Sequence, residues 1–93
     1  MKHVFVKPYE FEGETFTEIE FNLDSISGWH IQKATRLYRK QGGVAAIPAL
    51  EGEFAVLILH ELTKKPLEFF NGLPAKDYIA VTIAVSNFLT SSD

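Results

Sequence analysis

Between residues 5 and 23, Phe5, Tyr9, Phe11, Ile19, Phe21 and Leu23 stand at odd positions, whereas Glu10, Glu18, Glu20 and Asn22 stand at even ones. A period of two belongs to a strand with one covered and one wet face, so this stretch must form sheet. Glu12-Gly13 near its middle makes it a hairpin, with strands at about 3–10 and 14–23. A three-residue turn over Phe11-Glu12-Gly13, with Gly13 left-handed, keeps odd residues on one face by pairing Glu10 with Glu14 and Phe5 with Ile19. A two-residue Glu12-Gly13 turn would instead pair odd with even. A hairpin alone is marginal in water, so its apolar face needs helices or a second molecule over it.

Helix signals follow. Asp24, Ser25 and Ser27 carry oxygens that can cap a first turn, with Ser27 the favoured cap. Ile31, Ala34, Leu37 and Tyr38 then recur at helical spacing as a buried stripe, while Trp29, Lys33, Arg36 and Lys40 share a neighbouring face. Gly42-Gly43 ends this helix. An irregular passage from Val44 to Gly52 leads to a run from Glu53 to Lys65, in which the six apolar residues 54–59 could make a buried strand. Its length, its leading acid and Lys64-Lys65 at its end favour helix. Pro66 closes it, residues 67–70 can add one turn, and a last helix runs from about 74 to 90, with Pro74 at its start. Residues 90–93 read as a frayed tail. The expected architecture is α+β: a single domain over 1–93, with a hairpin at 3–23 and a mainly helical part of about three helices at 27–90.

Ninety-three residues with 46% hydrophobic and 23% charged content suit one small core. With no cysteine there is no disulfide framework and no thiolate chemistry. No stretch approaches the roughly 20 apolar residues of a spanning helix, and the first residues lack a signal-peptide pattern, so no membrane role and a cytoplasmic location are expected. The net charge of −3 argues against a protein that grips nucleic-acid phosphates. Charge is also segregated. Residues 8–24 carry Glu10, Glu12, Glu14, Glu18, Glu20 and Asp24 without a Lys or Arg, and residues 30–40 carry Lys33, Arg36, Arg39 and Lys40 without an acid.

Candidates for chemistry are sparse. His60-Glu61 begins like a zinc-protease helix, but the second ligand position is Lys64, a cation. Ser25 and Ser27 lie in no nucleophile elbow. Glu18 and Glu20 form a uniformly solvated row rather than two unlike carboxyls across a cleft, and Gly42-Gly43 lacks the Lys-Ser/Thr of a phosphate loop. No catalytic, cofactor or metal site is therefore expected. Two sets of residues point to protein contact instead. Trp29 stands among Lys33 and Arg36; a lone Trp is more often core, yet Trp and Arg are the types enriched at interface centres. Phe69 and Phe70 form the second set: core packing is the leading reading, but two adjacent aromatics in one turn suggest that one lies at a surface or groove.

The run Lys7-Pro8-Tyr9-Glu10-Phe11-Glu12-Gly13-Glu14-Thr15-Phe16-Thr17-Glu18-Ile19 resembles the opening hairpin of the tail assembly chaperones of long-tailed bacteriophages. Leu23-Asp24-Ser25-Ile26-Ser27-Gly28 is similar to that family's lead-in to its first helix. Glu53-Phe54-Ala55-Val56-Leu57, Leu73-Pro74-Ala75-Lys76-Asp77-Tyr78 and Val85-Ser86-Asn87-Phe88-Leu89 resemble its central and final helices. His30 stands where an acidic residue is expected. The resemblance implies a non-enzymatic protein of the host bacterial cytoplasm that binds the long helical tape measure protein and keeps it soluble during tail assembly. The tail-tube protein enters as a further partner, recruited in some phages by a longer frameshifted product. Trp29, Lys33, Arg36, Phe69 and Phe70 are then the docking points. The alternative is a structural virion or small adaptor subunit that extends its hairpin edge into a neighbour. Either role is compatible with a homo-oligomer.

Overall fold

Glu12 and Gly13 both adopt positive φ, 50° and 82°, the pair of left-handed residues that a two-residue hairpin turn requires. In the computed structural model, which describes residues 1–44 and 52–90, this turn joins β1 (Lys2–Phe11) to β2 (Glu14–Glu20). Phe11 lies opposite Glu14, Glu10 opposite Thr15 and Tyr9 opposite Phe16. The three-residue turn and the Glu10–Glu14 and Phe5–Ile19 pairs expected from parity do not form. The register slips between Tyr9 and Val4, so that residues 5–8 of β1 lie against Thr17 alone, and beyond the slip His3 pairs with Ile19 and Val4 with Glu18. Pro8 lies within the slipped stretch and has no N–H to give a ladder, a position where an irregular strand loses least. The slip restores the odd-numbered face: Phe5, Ile19 and Phe21 are buried, and even-numbered Phe16 joins Tyr9 and Phe11 near the turn.

β2 stops at Glu20, short of the expected 23. Asn22 takes the chain into a single tight turn, its side-chain Oδ1 accepting from the Asp24 N–H at 3.0 Å and its carbonyl from the Ser25 hydroxyl at 2.7 Å. Ser27 then caps α1 (Gly28–Lys40) as expected. Its N–H donates to Nδ1 of His30 at 3.0 Å, so the imidazole fills the third-residue role that a Glu or Gln side chain usually has in a capping box. Ala34 and Tyr38 are buried on the inner face, and Ile31 and Leu37 pack partly against the core. A Cβ at Gly43 would lie 2.3 Å from the Tyr38 ring, so any larger residue there requires that buried ring to shift.

The remaining helices are α2 (Gly52–Thr63), α3 (Leu67–Asn71) and α4 (Ala75–Thr90). The 54–59 run is helix rather than strand, and every one of its residues is buried. A helix can be apolar on all sides only when neighbours surround it, and α2 does pack against α1, α3 and α4. It ends at Lys64 in a left-handed conformation, φ 63°, whose N–H returns to the His60 carbonyl at 2.9 Å. The optional turn after Pro66 is realised as α3. The irregular passage and the tail fall largely on residues 45–51 and 91–93, outside the described residues.

The result is an α+β arrangement in which an antiparallel two-stranded hairpin is followed by helices, with α2 at the centre and the hairpin laid over α3 and α4.

Candidate protein-binding surface

α1 turns one face inward through Ala34 and Tyr38, and the same helical geometry turns Trp29, Lys33, Arg36 and Lys40 outward. Trp29 is 79% exposed. The lone tryptophan is therefore a surface residue, which removes its core reading. Lys33 reaches back to α2, its Nζ 3.4 Å from Oε2 of Glu61, a nearly buried carboxylate. It is an anchor of α1 on α2. Arg36 and Lys40 are exposed, and neither makes an ion pair among the described residues. Trp29 and Lys40 are about 16 Å apart along the axis at 1.5 Å per residue, so the face is an aromatic followed by cations, long enough to lie along a partner segment.

Phe69 and Phe70 are not part of this surface. Both are buried, at 1% and 0% exposure, as the leading core reading has it; the alternative that one faces a surface or groove falls, and with it their role as docking points. The reason is that α3 lies between two layers. The hairpin closes over Phe69, whose ring is met by those of Phe5, Tyr9, Phe11 and Phe16 at centroid distances of 5.0–6.5 Å. Tyr9 donates its hydroxyl to the Phe69 carbonyl at 2.8 Å, and α2 packs on α3. Lys65 sets its ammonium over the Phe16 and Phe69 rings at 4.5 and 5.1 Å, sealing the rim of this cluster.

The groups weighed for chemistry are separated. His30 serves the cap of α1, and His60 has Nδ1 2.6 Å from the Lys65 carbonyl. His3 contacts Asp77. Glu18 and Glu20 stand in water on the outer hairpin face. Among the described residues no three His, Cys, Asp or Glu side chains gather in a metal-holding group, and no helix is long and apolar enough to cross a membrane. A cleft of about 600 Å³ runs between α2 and α4, lined by Val56, Leu57, Leu67, Leu73, Tyr78 and Ile79, with Glu53 at its edge. Burial, and then the Glu53 charge, push the Tyr78 hydroxyl above its ordinary pKa.

Asp77 was invisible as a special residue in the sequence, since an acid in the first turn of a helix is ordinary. Its side chain is fully buried, and its Oδ2 has no hydrogen-bond partner. Only the hairpin, folded back across the start of α4, creates that environment. Searches of family models, curated proteins and solved structures return no match to the chain.

Proposed function

We propose that this chain is a tail assembly chaperone of a long-tailed phage: a non-enzymatic domain that binds the tape measure protein in the host bacterial cytoplasm and keeps it soluble until tail-tube subunits surround it. The observation that carries the reading is the exposure of Trp29 at the head of the α1 face. A large aromatic at 79% exposure loses solvent contact only by meeting something else, and burying a large apolar side chain on a partner contributes about 1.5–3 kcal/mol before ordering losses. Flanking Arg36 and Lys40 suit the edge of such a contact, where charge sets orientation and association rate. A modest, single-anchor contact also fits a client that must later be released, with many weak copies along one long client adding up by multivalency. The motif order quoted above supports the identity of the client.

Co-expression with the tape measure protein encoded beside the gene tests the reading. A soluble complex that elutes together on sizing is expected, and it should be lost in Trp29→Ser. An equally insoluble tape measure protein with and without the chain, and no complex, would overturn it. Stoichiometric retention of the chain in finished virions would instead identify the structural subunit.

A further inference from the structure

The α1 face has its complement on the same molecule. On the hairpin side turned away from the helices, Val4 and Val6 are 63% and 66% exposed. Glu18 lies opposite Val4, and Glu20 lies opposite Lys2. Glu18 meets Lys2 at 3.7 Å, but with side-chain exposures of 47% and 54% the pair is solvated and readily exchanged for another partner. Glu10 adds a further exposed acid on β1. Each face thus combines apolar area that stands in water with charge of one prevailing sign, and the signs are opposite.

The spacings agree as well. Arg36 and Lys40 are separated by about 6 Å along α1, and Glu18 and Glu20 by about 6.6 Å along β2. With Arg36 at Glu18 and Lys40 at Glu20, Trp29 lies about 10 Å beyond the level shared by Glu18 and Val4, on the side of Val6, so that its indole has to turn back along β1 to cover the two valines. Both faces are exposed in the isolated chain, so the match is not satisfied internally.

We infer that the outer hairpin face of one copy docks on the α1 face of a second copy of this chain, with Glu18 and Glu20 against Arg36 and Lys40 and with Val4 and Val6 covering Trp29. The two surfaces differ, so the contact is heterologous: each copy keeps one face of either kind, and association proceeds to a ring or an open row. The contact itself stands on the chain alone. One consequence rests on the function proposed above: a neighbour's hairpin and a client compete for Trp29, so the client disperses the row as it binds.

Sedimentation of the full chain across a concentration series tests this, with circular dichroism confirming that each variant folds. The wild type should associate reversibly, and more weakly at high salt. R36E/K40E and E18K/E20K should each weaken association at least tenfold, while a one-to-one mixture of the two should recover mixed complexes, because the reversed faces complement each other. Should either double variant not fold, Trp29→Ser and Val4→Ser replace it, each expected to weaken association at least fivefold. A wild type that stays monomeric throughout, reversed variants that associate like wild type, or a folded mixture without complexes each overturn the proposal. Loss of client binding with self-association intact rejects the proposed function and leaves this contact standing.

Discussion

His3 on β1 and Asp77 in the first turn of α4 meet at 2.8 Å, Nε2 to Oδ1, across 74 residues of chain. The same Oδ1 accepts the Val6 N–H at 3.2 Å. Val6 lies in the slipped part of β1, where its amide turns to α4 for a partner. One carboxylate oxygen therefore ties the irregular strand and its histidine to the helical layer, and the start of α4 supplies a favourable dipole for the acid.

Removing that acceptor should loosen the hairpin. Asp77→Ala leaves the Val6 N–H and the His3 ring without their partner and is expected to lower stability by about 2–4 kcal/mol. Asp77→Asn keeps an acceptor but buries an amide donor where Oδ2 already lacks a partner, and should lower it by about 1–2 kcal/mol. Urea unfolding of the two single variants, of His3→Ala and of the His3→Ala/Asp77→Ala double variant checks this, with a coupling above about 0.5 kcal/mol expected between the pair. Additive effects would mean that the contact does not hold the two layers together.

The turn offers the opposite change. Glu12 occupies a left-handed conformation, φ 50°, that asparagine tolerates better, and Asn-Gly is the favoured pair for a two-residue hairpin turn. Glu12→Asn should raise stability by about 0.5–1 kcal/mol, read as an increase in thermal midpoint. No gain, or a loss, would count against the two-residue turn and in favour of the three-residue form.

That distinction marks where the sequence stops being legible. The existence of the hairpin followed from odd–even alternation, and the helix starts followed from Ser27 and Pro74, because these signals act over a few neighbouring residues. The register did not follow. Parity assumes an unbroken strand, and Pro8 sits in a slip that lets an odd–even turn coexist with an odd-facing core. Core packing of Phe69 and Phe70 was the leading reading, but that neither is left at a surface was not legible, since it depends on Phe5, Phe11 and Phe16 arriving from far along the chain. Trp29, Lys33 and Arg36 were legible as one helix face, but the exposure of Trp29 depends on which face of α1 meets α2, and neighbour spacing leaves that open.

Alkali should unfold the domain through its tyrosines. Burial raises the Tyr9 pKa, and burial together with the Glu53 charge raises that of Tyr78. The unfolded chain releases these protons near pH 10 while the folded chain still holds them. Their contribution is therefore fully present below pH 10 and is lost as pH rises past 10 toward the folded values. Denaturation midpoints measured from pH 9 to about 11.5 should fall, and fall less steeply in the Tyr9→Phe/Tyr78→Phe variant. Equal slopes in the two proteins would show that neither hydroxyl is held in its protonated form by the fold.

Two neighbours on the α1 face should part company when truncated. Trp29 is 79% exposed, so Trp29→Ala is expected to leave stability within about 0.5 kcal/mol of wild type while removing the anchor of the proposed binding surface. Lys33→Ala strips the nearly buried Glu61 of its partner 3.4 Å away. The lysine end is well exposed, which limits the loss to about 1 kcal/mol. Chemical denaturation followed by far-UV circular dichroism separates the two. Fluorescence offers a direct check on the first, since Trp29 is the sole indole in the chain: its emission in the folded protein should already be that of a water-exposed tryptophan and should shift little on unfolding. A blue-shifted native emission, or a Trp29→Ala variant destabilised as much as a core truncation, would return the residue to the interior and remove the contact surface.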